Sequence, residues 1–310
     1  MSGSSRVPPR GFIRRRGLLV CLAMVLAGGV WPAATLSART QSGAWECPAL
    51  AASAPAAATP VSNEGDPAAI LSAEGSVTVF AAASLTDAFE EMKAELEAAN
   101  PALAIAYNFG GSPALVTQLT QGAVADVFAS ANTAQMTAAQ DAGVIAGDPV
   151  TFVRNRLALV TPPDNPAGIA SPADLGNEGI RLVLAQPEVP AGRYAREAVC
   201  LMGADAAANG EDFVGRVAAN VVSEEEDVRD ALAKVQLGEA DAGVVYISDA
   251  ASAGDDVQVI PIPDAVNVVA AYPIAAVAGG DESIAGAFIA YLLGADGQAI
   301  LQEYGFEPVA

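Results

Sequence analysis

The sequence predicts an α/β protein of two lobes, in which mainly parallel strands are covered on both faces by helices. From Ser76 onward, short β-rich runs alternate with helical runs, and this alternation occurs in two separate units. Two extended runs, near residues 157–160 and 268–277, connect the units. A chain of 310 residues is long enough for two such lobes. Because ligands of open α/β sheets bind beyond the carboxyl ends of strands, we expect a site at strand-to-helix turns in the cleft.

The first unit is predicted from three strand-to-helix repeats. Its first helix is indicated by one apolar face, formed by residues three and four positions apart: Leu85, Phe89, Met92 and Leu96. The predicted strands are residues 76–80, 104–109 and 125–129. The second helix is predicted around Leu115 and Leu119, and the third over residues 133–141.

The second unit continues the same alternation. A strand at 157–160 leads into a proline-rich connection, and a further strand is predicted at 181–185. A helix ends near Gly238, a strand follows at 243–246, and a long β-rich run at 266–277 contains Pro273.

The first 38 residues have the pattern of an export signal. Five arginines precede an apolar run from 17 to 30, and Leu36-Ser37-Ala38 resembles a cleavage site. The run is too short to span a bilayer, which takes about 20 residues. We therefore expect 1–38 to be a signal peptide and the protein to be exported. The pair Arg15-Arg16 leaves a twin-arginine signal open as an alternative.

Residues 39–74 are rich in Ala, Pro, Ser and Thr and show no helical or strand period, which predicts a disordered tether. Two cysteines survive processing, Cys47 in the tether and Cys200 in the folded part. An oxidising compartment permits a disulfide between them. The alternative is a free Cys47 and a buried Cys200.

Composition excludes several classes of function. The formal charge is −21, and it becomes −26 when the five arginines of the signal are removed, which argues against binding nucleic acid. The chain has no histidine, which excludes Ser-His-Asp and Cys-His catalysis and zinc sites that need imidazole. Its three cysteines contain no Cys-x-x-Cys pair for a metal.

Two turns of the first unit place a serine between a strand and a helix. Ser84, with Asp87 three positions on, and Ser112, with Pro113 next to it, are each predicted to cap the following helix. Taken separately, each is an ordinary cap. Together they place two hydroxyls and free backbone amides beside one crevice.

The second unit has comparable turns. Ala191 lies at the start of a helix, among small residues that allow a ligand close to exposed amides. Another helix begins near Val228, with Asp227 or Ser223 as its cap. Tyr246 ends a strand, so its hydroxyl either reaches the cleft or lies in the core.

Several strings in order and spacing resemble the periplasmic molybdate-binding proteins of ABC importers. They lie at residues 77–86, 189–198, 226–229, 243–250 and 304–306. The resemblance covers about 76–310 and implies the two-lobed type II periplasmic-binding-protein fold. It implies that lobe 1 consists of residues 75–158 and 262–310, and that lobe 2 consists of 159–261.

The resemblance also implies a ligand set made of neutral donors. The implied contacts to molybdate or tungstate are the hydroxyls of Ser84 and Ser112, the backbone amides of Ala191 and Val228, and the hydroxyl of Tyr246. It favours Asp227 over Ser223 as the cap. The loop Gly110-Gly111-Ser112-Pro113 is less serine-rich than is usual in the family, and Pro113 supplies no N–H.

The function that the resemblance implies is capture of the oxyanion and its delivery to a membrane permease. We expect a monomer without enzymatic activity and without a cofactor. The alternatives are the same fold binding sulfate or another small anion, an exported hydrolase with paired carboxylates, and a structural surface protein.

Overall fold

The computed structural model describes Trp45, Cys47 and residues 66–309. The strands are β1 (Gly75–Ala82), β2 (Leu103–Gly110), β3 (Val127–Ala129), β4 (Ile145–Thr161), β5 (Leu182–Ala185), β6 (Val221–Glu225), β7 (Ala242–Tyr246), β8 (Gln258–Pro261), β9 (Val269–Val277) and β10 (Glu307–Pro308). The α-helices are α1 (Thr86–Ala99), α2 (Ser112–Thr120), α3 (Thr133–Asp141), α4 (Pro190–Gly203), α5 (Ala206–Asn209), α6 (Phe213–Ala219), α7 (Val228–Gln236), α8 (Ile247–Ala253), α9 (Glu282–Leu293) and α10 (Ala295–Glu303).

The strands follow one path of hydrogen bonding, in the order β2-β1-β3-β9-β4-β7-β5-β6, and β8 and β10 both pair with β4. Strands β2, β1 and β3 are parallel at one end of this path, and β7, β5 and β6 are parallel at the other. The two central strands, β9 and β4, pair antiparallel. The predicted α/β class, with two mainly parallel units, is confirmed.

The long strand β4 passes from one unit to the other. Its residues from Ile145 to Arg156 pair with β9, and from Leu157 onward it pairs with β7. The sequence predicts a strand only at 157–160, and this start is wrong, because β4 begins twelve residues earlier, at Ile145. Gly147 and Pro149 interrupt the apolar pattern there, and the register shifts between Ala146 and Val150.

The core follows from the alternation along each strand. In β1, Val77 and Val79 lie in the main core, whereas Phe80 points to the other face and packs with Leu115 and Phe128. The strand is therefore buried on both faces, as helix-covered parallel strands must be. Within the described part of the chain no single helix is long and apolar enough to cross a membrane; α9 and α10 reach that length together but meet at a bend of 62°.

The end of the predicted tether is ordered, which corrects that expectation for its last residues. Pro67–Ser72 forms a 3-10 helix, with Asp66 as its cap and Ile70 fully buried. Asn100 holds the segment by donating to the carbonyl of Ala73 at 2.6 Å. Two turns of 3-10 helix leave no clear period in an Ala/Pro-rich sequence, so the pattern could not predict them. The predicted signal peptide and most of the tether lie outside the described residues.

Of the two alternatives for the cysteines, the structure has the disulfide between Cys47 and Cys200, with the Cα atoms 5.6 Å apart. Cys200 lies in α4 and is buried. Nearby, the Arg196 guanidinium lies 5.2 Å from the ring centre of Trp45. The bond therefore joins a residue of the predicted tether to lobe 2.

Candidate functional site

A small cavity lies where the two lobes meet, at the ends of strands and the beginnings of helices. It is lined by Ala82, Ala83, Ser84, Gly110, Gly111, Ser112, Ala131, Val189, Pro190, Ala191, Asp227, Val228 and Tyr246. By the predicted bounds, the first seven of these residues belong to lobe 1 and the other six to lobe 2. The cavity is therefore at the place where open α/β sheets bind their ligands.

All five predicted ligand residues line this cavity: Ser84, Ser112, Ala191, Val228 and Tyr246. They come from five separate turns, between 84 and 246 in the sequence. The structure thus brings them together, and their contacts to a ligand stay a prediction.

The predicted role of both serines as helix caps is wrong. Ser84 lies inside a short 3-10 helix, Ala83–Leu85, and α1 begins two residues later. Ser112 is the first residue of α2, whose cap is Gly111. Neither hydroxyl caps the helix that follows it, and each instead makes a contact elsewhere in lobe 1.

Those contacts orient both hydroxyls. The Ser112 Oγ accepts from the backbone N–H of Ala131 at 3.1 Å, which leaves its own proton free to be donated. The Ser84 Oγ and the Tyr272 hydroxyl lie 2.8 Å apart, and either can be the donor. Both serines are nearly inaccessible to solvent, at 2% and 1% exposure. Buried hydroxyls held in this way are suited to donate to a ligand in the cavity.

The turn that carries Ala191 is built on a close approach of backbone to backbone. A side chain at Gly192 would place its Cβ 2.1 Å from the carbonyl oxygen of Ala185 and 2.2 Å from that of Gln186. Only glycine fits there. The first turn of α4, with Pro190 near its start, is thereby pressed against the end of β5, and the Ala191 amide lies at a helix end where it has no intrahelical acceptor.

Val228 is the first residue of α7, and Asp227 is its cap. One carboxylate oxygen of Asp227 accepts from the backbone amides of Arg229 at 2.8 Å and Asp230 at 3.0 Å. The alternative cap, Ser223, lies in β6. The cap thus binds the second and third amides of the helix and not that of Val228, which lines the cavity.

Tyr246 is buried and also lines the cavity, and a contact of its hydroxyl with a ligand stays a prediction. It is 1% exposed. Its ring packs on that of Tyr272, with centres 5.7 Å apart. Among the described residues its hydroxyl finds no hydrogen-bond partner of normal geometry, although the Tyr272 hydroxyl lies nearby. Burial raises the pKa of Tyr246 well above its usual 10.0, so the hydroxyl stays protonated and is a donor.

A buried carboxylate holds the backbone of Tyr246. Asp249, which is fully buried in α8, accepts from the Tyr246 amide at 3.0 Å. The Arg229 Nε lies 2.7 Å from its other oxygen. Burial nevertheless raises the pKa of Asp249 to about 6, against an ordinary value of 3.8.

The electrostatics of the cavity come from neutral groups. No lysine or arginine is among its lining residues. The one charged lining residue, Asp227, is turned toward the amides of α7. The beginnings of α2, α4 and α7 all lie at the cavity and present the positive ends of their dipoles. This arrangement favours an anion without a cationic side chain.

Two other kinds of site are not supported. The described part of the chain has no cluster of three or more acidic or thiol groups that could hold a metal ion. A larger cavity, of about 300 Å³, lies between residues 67–72 and α9. Its walls carry the carboxylates of Asp66, Glu74 and Asp281. An anion would be repelled there.

Three residues at or beside the cavity make contacts that the local sequence does not indicate. Tyr272, in the crossing strand β9, contacts Ser84 across 188 residues of sequence. Asn155, in the other crossing strand, donates to Ser248 at 2.8 Å, at the start of α8. Gly111 has no room for a side chain, because a Cβ would lie 2.3 Å from the carbonyl oxygen of Glu226 in lobe 2. No local pattern marks such long-range contacts.

The family to which the chain belongs follows from comparison with known proteins. The family model of bacterial extracellular solute-binding proteins matches residues 77–307. The chain belongs to this family. The solute-binding protein is also 43% identical over 232 residues to the molybdate-binding protein ModA of Mycobacterium tuberculosis, covering 74% of this chain and 84% of that protein.

Solved structures show that this solute-binding protein has the type II periplasmic-binding-protein fold. The Azotobacter vinelandii periplasmic molybdate-binding protein matches with a TM-score of 0.64 at 18% identity, over 76% of this chain and 100% of that one. The sulfate-binding protein SubI of Mycobacterium tuberculosis matches with a TM-score of 0.68 at 20% identity, over 76% and 88%. The fold is thus shared by proteins for different anions, and the fold alone does not choose between them.

Proposed function

We propose that this solute-binding protein captures molybdate, or tungstate, outside the cytoplasm and delivers it to the membrane permease of an ABC importer. The observation that carries the proposal is a cavity that residues of both lobes line, among them Ser84, Ser112 and Tyr246, and that no lysine or arginine lines. The relative that is 43% identical, named a molybdate-binding protein, supports this anion over sulfate.

The proposed ligand contacts are the hydroxyls of Ser84, Ser112 and Tyr246 and the amides of Ala191 and Val228. A hydrogen bond to a charged group contributes about 1.5–3 kcal/mol, so five of them contribute about 8–15 kcal/mol. Association costs at least about 4 kcal/mol of this. The remainder is about 4–11 kcal/mol. Micromolar to nanomolar dissociation constants correspond to about 8–12 kcal/mol, so the upper part of the remainder is enough for such affinity.

The five proposed contacts are all donors, and this also accounts for selectivity. A fully ionised dianion offers an acceptor to each of them. A protonated oxyanion carries an O–H in place of one acceptor, so one of the five contacts is lost, which costs binding free energy. The strongly negative mature protein repels any anion at long range, but salt screens that repulsion over about 8 Å at physiological ionic strength. Affinity then depends on the short-range donors, and no cofactor is needed.

Ligand that contacts both lobes favours their closed arrangement, because it binds that arrangement more tightly. The closed form is what a permease would recognise as loaded. In this scheme the protein works as a monomer and carries out no chemical reaction on the anion.

Thermal denaturation and titration calorimetry test the proposal. Molybdate and tungstate should each raise the melting temperature of the purified protein, because a ligand that binds only the folded state stabilises it. Sulfate should do so much less. Sulfate binding as tight as that of molybdate would refute the assignment of the anion, and the absence of any effect from the three salts would refute the function.

A serine variant with a matched control locates the site. Ser112→Ala should weaken molybdate binding by about 10- to 150-fold, the loss of one hydrogen bond to a charged group. The control is Ser76→Ala, which removes an exposed hydroxyl near the far end of β1. Equal affinity in both variants would remove Ser112 from the ligand set.

A further inference from the structure

Arg229 joins three parts of the site. It follows Val228 at the start of α7, and its Nε pairs with the buried Asp249, which holds the Tyr246 amide. One of its terminal nitrogens pairs with the carboxylate of Asp87. Arg229 is not among the residues that line the cavity.

The pair between Arg229 and Asp87 crosses from one lobe to the other. Asp87 lies in the first turn of α1, three residues after Ser84, in lobe 1, whereas Arg229 and Asp249 lie in lobe 2. Among the ion pairs of the described residues it is the only one between the lobes. Other contacts between the lobes are neutral: for example, Gln135 donates to the carbonyl of Glu188 at 3.3 Å, and Asn155 donates to the Ser248 hydroxyl at 2.8 Å.

The geometry makes Arg229 a prepared partner for lobe 1. Its Nε lies 2.7 Å from a carboxylate oxygen of the buried Asp249, an ion pair within lobe 2 that is not a hydrogen bond of normal geometry. This attraction would keep the guanidinium at the seam when the lobes are apart, which reduces the conformational entropy lost when Asp87 arrives. Separating the lobes would break the ion pair with Asp87, which spans them, and would not by itself break the pair with Asp249, which lies within lobe 2. The ion pair between the lobes would thus form at closure, next to the proposed Val228 contact.

We propose that Arg229 is a positioning residue that latches the closed lobes through Asp87 and slows the release of the bound oxyanion. The inference rests on the proposed function. It differs from a role for Arg229 as a counter-ion of the ligand, which would bring the guanidinium into the cavity.

Two variants of α1 separate these roles. Asp87→Asn removes the latch and one negative charge. Glu90→Gln removes one negative charge from the same helix, at an exposed side chain one turn along. General electrostatics predicts that both variants bind molybdate slightly more tightly, since each lessens the repulsion of a dianion. The latch predicts that Asp87→Asn alone binds molybdate more weakly.

The measurement is the dissociation rate of radiolabelled molybdate, chased with an excess of unlabelled molybdate. We expect release from Asp87→Asn to be about two- to fivefold faster than from the wild type, as for loss of one partly exposed ion pair, and release from Glu90→Gln to be unchanged or slower. Salt raised from about 0.02 M to about 0.5 M should speed release from the wild type more than from Asp87→Asn. Equal rates for the two variants, or tighter binding by Asp87→Asn, would overturn the latch.

The same proteins distinguish failure of the latch from failure of the proposed function. If the wild type does not bind molybdate at all, the function fails. Small-angle X-ray scattering of the ligand-free proteins then tests the latch alone. Asp87→Asn should have a larger radius of gyration than Glu90→Gln, and equal radii would overturn the inference.

Discussion

The most informative single substitution is Tyr246→Phe, because it removes one oxygen atom from the centre of the proposed site. The Tyr246 hydroxyl is buried and has no partner of normal geometry in the described part of the protein. A buried polar group without a partner costs about 1–3 kcal/mol. The ring contact with Tyr272 stays in the variant, since only the hydroxyl is lost.

The two states of the protein should therefore respond with opposite signs. Without ligand, Tyr246→Phe should leave the free energy of unfolding unchanged or raise it by about 1 kcal/mol, since an unsatisfied group disappears. With ligand it loses one hydrogen bond to a charged oxygen, about 1.5–3 kcal/mol, which is about a 10- to 150-fold weaker dissociation constant.

Urea unfolding of the ligand-free proteins gives the first quantity, and titration calorimetry with molybdate gives the second. The control is Tyr291→Phe, a tyrosine of α9 that lies away from the cavity. A variant that unfolds more easily without ligand and binds molybdate as tightly as the wild type would refute the reasoning, because the hydroxyl would then serve stability alone.

Three further predictions concern closure, pH and the disulfide. Gly111→Ala should weaken molybdate binding, because the new Cβ would meet the Glu226 carbonyl when the lobes are closed. It should change the stability of the ligand-free protein little, because the φ of −61° at this position suits alanine. Titration calorimetry measures the first effect and urea unfolding the second. Burial raises the pKa of Asp249 to about 6, against an ordinary value of 3.8. The carboxylate therefore takes up a proton between pH 7 and 5 in the folded protein and stays ionised there in the unfolded chain. Through this group the free energy of unfolding should be about 1 kcal/mol larger at pH 5 than at pH 7, and Asp249→Asn should lose that increment. Reduction of the Cys47–Cys200 disulfide should lower the free energy of unfolding by about 2–5 kcal/mol, which a comparison of urea unfolding with and without dithiothreitol measures. Molybdate affinity should stay unchanged, because neither cysteine lines the cavity.

Each of these has a result that would contradict it. Wild-type affinity in Gly111→Ala would mean that the lobes bind the anion without coming this close. An identical pH response in Asp249→Asn would assign the proton uptake to another group, such as Asp230, whose pKa burial also raises. Since the chain has no histidine, no imidazole titrates in that range. A protein that is equally stable in both redox states would remove the disulfide from the folded-state energetics.

Much of the architecture was predictable because local signals agree with the fold. Helix α3 has the predicted bounds, 133–141, and Phe89, Met92 and Leu96 form the buried face of α1. Periodic burial of this kind depends on near neighbours in sequence. The turns that carry the five site residues were found for the same reason, since strand ends and helix starts are local features.

What could not be predicted depends on partners far away in sequence. A serine before a helix has the same local pattern whether it caps that helix or contacts another strand, and Ser84 and Ser112 do the latter. In the same way, the sequence around Arg229 predicts only that a helix begins near Val228. Its two carboxylate partners lie 142 and 20 residues away in the sequence, so no local sequence pattern indicates them.

Crystals soaked in molybdate and measured near the molybdenum absorption edge provide the most direct measurement of the central claim. The account predicts one strong anomalous peak between the lobes, with oxygen atoms within hydrogen-bonding distance of Ser84, Ser112 and Tyr246 and of two backbone amides. An empty cavity in soaked crystals, or a peak whose nearest protein group is a guanidinium such as that of Arg229, would contradict it.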